Sequence, residues 1–148
     1  HLYNSLLDDF EEGMTVEKIE SEGELLALVL RNSFNTPGTN FISNEELALQ
    51  VGFHKQQKGH RYRAHITFPF KEMKNVKPNK VYYVKKGKIG IDIYDKNDKK
   101  VDYVTLSEGD LIQFVSGGHG VDVLENGEFF EIKHGPYRGT EQDKRFVE

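Results

Sequence analysis

One absence limits the chemistry open to this 148-residue chain: it contains no Cys. Thiol nucleophiles, disulfides, zinc-thiolate clusters and iron-sulfur sites are thereby excluded, and any metal must be held by His, carboxylate or carbonyl oxygen. Six His remain. An imidazole near its ordinary pKa of about 6.5 can give or take a proton, so two of them in one pocket can divide acid and base work. His65 and His119 are the pair of interest. His65 closes the basic run Arg61-Tyr-Arg63-Ala-His65 just ahead of Thr67, and His119 sits in Gly117-Gly118-His119-Gly120. That glycine run is not followed by a helical pattern, which argues against a phosphate loop at a helix N-terminus. Of the other His, His54 and His60 lie on a polar strand face and beside a turn, and His134 precedes Gly135-Pro136; each is read as solvated or structural.

The elements that must position these groups are short. Residues 15–20 read as a strand, and 24–31 as an apolar run that fits helix or strand equally. Residues 32–40, with Pro37 and Gly38, read as a loop. Leu47, Leu49, Val51 and Phe53 then alternate with polar or small residues, as do Tyr62, Ala64, Ile66 and Phe68, the period-2 signature of half-buried strands. Residues 80–95 read as a hairpin turning at Gly87, and further strands are expected over 101–106, 110–115, 121–124 and 129–133. Turns are expected at 96–98, Gly109, Gly117-Gly118 and Asn126-Gly127. So many short strands with close turn signals imply an all-β sandwich or barrel. Residues 1–14, with Leu2, Leu6, Leu7 and Phe10 at helix-like spacing, form a lead-in or short helix ahead of a single domain over 15–148. The chain begins at His1 rather than Met, so its first residues are read as a remnant or as a cut within a longer protein.

Composition narrows the partners. Hydrophobic residues at 36% and charged ones at 30% suit a folded domain rather than a disordered tail. No run approaches the roughly 20 apolar residues that cross a bilayer, so no membrane partner is expected. With 20 basic and 24 acidic residues the formal charge is -4, which gives no general attraction for nucleic acid and leaves room only for a local basic patch.

Two clusters carry a resemblance. The first is Gly59-His-Arg-Tyr-Arg-Ala-His65-Ile-Thr67, followed after a loop by Lys80-Val-Tyr-Tyr-Val-Lys-Lys-Gly87; the second is Gly109-Asp-Leu-Ile-Gln-Phe-Val-Ser-Gly-Gly-His119. Together they resemble the two motifs of the cupin superfamily, a jelly-roll barrel. The tail Phe130-Glu-Ile-Lys-His-Gly-Pro-Tyr137, with Asp143-Lys144-Arg-Phe146, resembles a subgroup of small bacterial cupins associated with cell-surface polysaccharide biosynthesis. The resemblance spans roughly residues 47–146 and implies a cytoplasmic homodimer. A metal-binding cupin would use two His and a Glu from the first motif and a His from the second. Here the second His position is Thr67 and the Glu position is Lys80, whose ammonium donates hydrogen bonds and opposes a cation. His65 and His119 are the metal ligands that remain, with Glu72 a substitute if the intervening loop shifts the alignment. The expected cofactor is therefore none, or a divalent metal on His65, His119 and a further acid.

If strand alternation holds in such a barrel, Arg61, Arg63, His65, Thr67, Lys80, Tyr82, Gln113 and His119 point into one cavity, with Tyr137 at the barrel end. That mostly cationic lining suits a small anionic or polyhydroxylated ligand, because Arg grips phosphate or carboxylate bidentately and Lys supplies a point charge. A nucleotide sugar or phosphosugar is the expected class. A metal-free sugar isomerase or epimerase would use His65 and His119 for proton transfer, with Lys80 or Tyr82 stabilising an enolate. A non-catalytic sugar-binding or regulatory protein and a divalent-metal protein are the alternatives.

Overall fold

The computed structural model describes residues 15–65, 67–71, 75–135 and 138–148; the lead-in expected over 1–14 lies outside them. Among the described residues, eight strands and one short helix follow in the order β1 (Glu17–Ser21), β2 (Glu24–Leu30), β3 (Gly38–Phe41), β4 (Gly52–Lys55), β5 (Lys80–Tyr94), β6 (Lys100–Ser107), β7 (Leu111–Phe114), β8 (Gly118–Lys133) and α1 (Thr140–Asp143). The chain is all-β, with a strongly curled half-barrel sheet at its centre. That sheet is antiparallel, running β1-β2-β7-β5-β6, and β8 lies along the other edge of β5. A separate ribbon pairs β3 with β4.

The apolar residues of these strands fill two cores, one on each face. The concave face buries Leu26, Val29, Tyr82, Val84, Ile89, Ile91, Ile93, Leu106 and Ile112. On the opposite face Leu28 and Leu30 pack with Phe34 and Ile42, and the β3–β4 ribbon covers them through Phe53, edge-on to Phe34 at 5.1 Å. Because β2 is covered on both faces it reads as an unbroken apolar run, which is why its sequence does not separate helix from strand. The pairing of β1 with β2 steps from Ile19↔Ala27 to Glu20↔Leu25. Leu26 is left as the extra residue of a bulge, and Leu26 and Ala27, adjacent in sequence, therefore face the same core.

The same device replaces two expected turns. Gly87 is not the tip of a hairpin: β5 runs through it unbroken, and β8 runs unbroken through Asn126-Gly127. The two strands pair from Lys80↔Lys133 to Tyr94↔Gly118, with register shifts between Val84 and Ile89. Gly87 has φ 85, and a Cβ there would collide with the Asn126 carbonyl and Gly127 Cα. Facing bulges at Gly87 and Gly127 thus bend one long ribbon rather than ending two short ones. The alternation phase records it, since Tyr82 and Val84 share the concave face with Ile89, Ile91 and Ile93.

Three further expectations are corrected. No strand forms over 62–68: the described residues from 56 to 71 are outside any strand and exposed. The alternation of residues 47–53 contributes only the start of β4, residues 45–49 being turns and bends, and the supposed loop over 32–40 contains most of β3. Over 47–53 the apolar alternation marks packing without a ladder, since Leu47 and Val51 lie against the second core, whereas over 62–68 it marks neither, Phe68 being largely exposed.

Candidate functional site

The bent ribbon brings its own two ends together. Lys80 opens β5 opposite Phe114, whereas His119 lies at the far end, opposite Ile93. Across the concave face, Lys80 Nζ stands 3.4 Å from His119 Nε2. The His119 ring stacks on Phe114 with centroids 4.0 Å apart and planes 13° from parallel. Tyr82, two residues along the same face from Lys80, meets His119 edge-on at 5.8 Å, Phe114 at 5.2 Å and Phe129 at 5.3 Å. Glu131 pairs opposite Tyr82 and places a carboxylate oxygen 3.6 Å from Lys80 Nζ.

Charge and burial fix the protonation of this cluster. Burial, reinforced by the neighbouring Lys80 ammonium and only partly offset by Glu131, pushes His119 down to about 4. The imidazole is therefore neutral near pH 7, accepting from Lys80 at Nε2 and carrying its proton on Nδ1. Burial and the Glu131 carboxylate, which accepts its hydrogen bond, push the Tyr82 phenol upward, so it stays protonated. The result is a cation flanked by a neutral acceptor, the Glu131 carboxylate and the Tyr82 ring, whose phenol is held by the same carboxylate. With its side chain 22% exposed, Lys80 keeps a path to solvent.

Of the residues expected to share one cavity, Lys80, Tyr82 and His119 do meet. Gln113 does not join them: it is fully buried on the opposite face because it is one residue out of phase with Ile112 and Phe114. Its amide is consumed there, accepting from Ser43 Oγ and donating to the Leu49 carbonyl at 2.8 Å and Asn79 Oδ1 at 3.1 Å. Arg61, Arg63, His65 and Thr67 are all exposed on the strandless segment, and His65 Nδ1 donates to the Arg63 carbonyl at 2.8 Å. Without a strand through 62–68, alternation cannot turn them inward. Tyr137 and Glu72 lie outside the described residues.

Glu131, Phe114 and Phe129 are site residues that the motif analysis passes over. The two phenylalanines look like ordinary core, and Glu131 becomes visible only through the β5–β8 register. The Gly109-Asp110 pair proves to be a corner: Asp110 accepts from the backbone N–H of Asn32 and Ser107 and from Arg31, which also binds Glu17. For a metal the donor set fits poorly, because the Nε2 that would face a cation accepts from an ammonium. Among the described residues no three His, Asp or Glu converge as ligands. A cleft of about 440 Å³ beside the Gly127 bulge is lined by Lys85, Glu128, Phe129 and Phe130, and another of about 430 Å³ lies between Glu24, Leu47 and Lys77. No family model, curated protein or solved structure matches the chain.

Proposed function

We propose that this chain is a small cupin-type jelly roll that binds an anionic, sugar-linked metabolite, such as a nucleotide sugar or phosphosugar, on its concave face. One observation carries the reading: the Lys80 ammonium stands over the Tyr82 ring at 6.0 Å and beside a neutral His119, with Phe114 and Phe129 packed against Tyr82. A phosphate competes with Glu131 for the ammonium, and Phe129, the exposed ring of the cluster, offers its face to the C–H groups of a sugar ring. Glu131 holds Lys80 in place, at 3.6 Å, until the anion arrives. Binding of an anion at Lys80 offsets part of the charge that depresses His119 and raises its pKa, while burial, the larger cause, continues to hold the imidazole neutral near pH 7.

Binding is better supported than isomerisation. An isomerase needs separate groups to remove and return a proton, and here one imidazole has its Nε2 engaged while the raised Tyr82 phenol can only donate. A role in polysaccharide metabolism as a binding or regulatory protein fits this chemistry, and rests on the sequence resemblance.

The test is a thermal-shift and calorimetric screen of nucleotide sugars, phosphosugars and free phosphate, on wild type and Lys80→Met. A ligand at about 100 times its Kd should add about 2.7 kcal/mol of stability, which is roughly 5–10 °C in Tm for a domain of this size. Lys80→Met should weaken that ligand at least about tenfold, a loss of about 1.4 kcal/mol. A screen in which no phosphorylated sugar stabilises wild type, or in which Lys80→Met binds equally well, would refute the proposal.

A further inference from the structure

The segment that fails to form a strand has a charge pattern unlike the rest of the molecule. Residues 47–71 hold Lys55, Lys58, Arg61, Arg63 and Lys71, and not one of the 24 acidic residues. Elsewhere most described cations are paired: Lys77, Lys80, Lys85, Lys88 and Lys100 each meet a carboxylate. Of the cations there without an ion pair, Lys18, Lys96 and Lys99 each adjoin an acidic residue in the sequence, and Lys86 stands opposite Glu128 in the β5–β8 register. Lys55, Lys58, Arg61, Arg63 and Lys71 are exposed and have no ion pair among the described residues. A chain of net charge -4 thus concentrates uncompensated positive charge in one strip.

Apolar rings project from the same strip. Phe68 is 86% exposed and Phe70 79%, on either side of Pro69, with Arg63 before them and Lys71 directly after. The strip is tied to the β3–β4 ribbon where Tyr62 Oη meets His54 Nδ1 at 3.1 Å and His54 Nδ1 meets Thr39 Oγ1 at 3.1 Å.

We propose that this strip is a peripheral docking surface for an anionic lipid bilayer, with Phe68 and Phe70 inserting at the headgroup level and the five cations pairing with lipid phosphates and carboxylates. Charge complementarity selects an anionic partner, and the two protruding phenylalanines favour a lipid interface over a purely polar polyanion. The absence of a spanning segment does not bear on this, because a peripheral contact needs none. The surface is separate from the Lys80 cluster, and neither proposal depends on the other.

Each Lys or Arg near an anionic bilayer strengthens partitioning about fivefold. Co-sedimentation at about 0.1 M salt should therefore show the full chain binding vesicles of about 70% phosphatidylcholine and 30% phosphatidylserine, and not vesicles of phosphatidylcholine alone. Arg61→Glu/Arg63→Glu should weaken that binding at least about 25-fold, and Phe68→Ser/Phe70→Ser about tenfold or more. Both pairs are exposed, so Tm should be unchanged and a folding defect would be visible separately. Absence of phosphatidylserine-dependent binding overturns the proposal, as does binding indifferent to Phe68→Ser/Phe70→Ser. Displacement from vesicles by an equal charge concentration of a single-stranded oligonucleotide or heparin would also overturn it, assigning the strip to a polar polyanion.

Discussion

At the scale of single residues, His119 is the most informative position because its environment makes stability depend on pH. The folded chain holds its imidazole at about 4, against an ordinary value of 6.5. Between those two values the unfolded chain takes up a proton that the folded one refuses. Stability contributed by the neutral, stacked ring is therefore complete above about pH 6.5 and drains away as pH falls toward 4, by at most about 3 kcal/mol. In urea titrations from pH 7 to pH 4, His119→Gln should lack this component, and the gap between variant and wild type should narrow toward acid. Lys80 is the second cause of the depression, after burial. In Lys80→Met, NMR titration should find the His119 pKa raised but still below 6.5, because the ring remains buried against Phe114. A His119 pKa unmoved by Lys80→Met would mean that the 3.4 Å contact does not persist in solution.

At the scale of elements, the informative positions are glycines. Gly87 combines a positive φ with a place where Cβ would strike the backbone of β8, so Gly87→Ala meets two penalties with no room to relax. It should cost roughly 2 kcal/mol or more in denaturant unfolding, whereas Gly23→Ala, equally positive in φ but with open space around it, should cost about 1 kcal/mol. These elements also show what the sequence could and could not reveal. The strands β1, β6 and β7 follow from alternation bounded by turn residues, and the Asp95 turn follows from a side chain that accepts from the backbone N–H of Asn97 and Lys99. The bulges escape because a phase switch in alternation around a glycine looks the same whether the chain reverses or merely bends. The segment around Tyr62 and Phe68 escapes for the converse reason: alternation records which residues are apolar, and a ladder also requires a neighbouring strand with free N–H and C=O groups. Motif spacing singled out Lys80 and His119, whose side chains the fold brings to 3.4 Å, but Gln113 fell on the wrong face because assigning a face requires counting from a neighbour whose orientation is known.

At the scale of the whole molecule, the site exists because the sheet curls. Lys80 and His119 are 39 residues apart and lie at opposite ends of the β5–β8 ribbon, so neither strand alone could bring them together. The Gly87 and Gly127 bulges interrupt the ribbon's register midway, and the concave core includes Ile89, Ile91 and Ile93. Cluster geometry is accordingly coupled to a bend that it does not touch. A Gly87→Ala chain that still folds should open the ribbon, part His119 from Lys80 and Phe114, and let the imidazole titrate closer to 6.5, which NMR can follow with no ligand present. Ile91→Val removes a buried methylene without forcing the backbone, and should cost about 0.5–1.5 kcal/mol while leaving the His119 pKa near 4. The pair separates curvature from stability: a pKa that rises in Gly87→Ala but not in Ile91→Val places control of the site in the bend. Equal rises in both would instead show that any loosening of the core frees His119, and that the bulges only accommodate a curl which side-chain packing imposes.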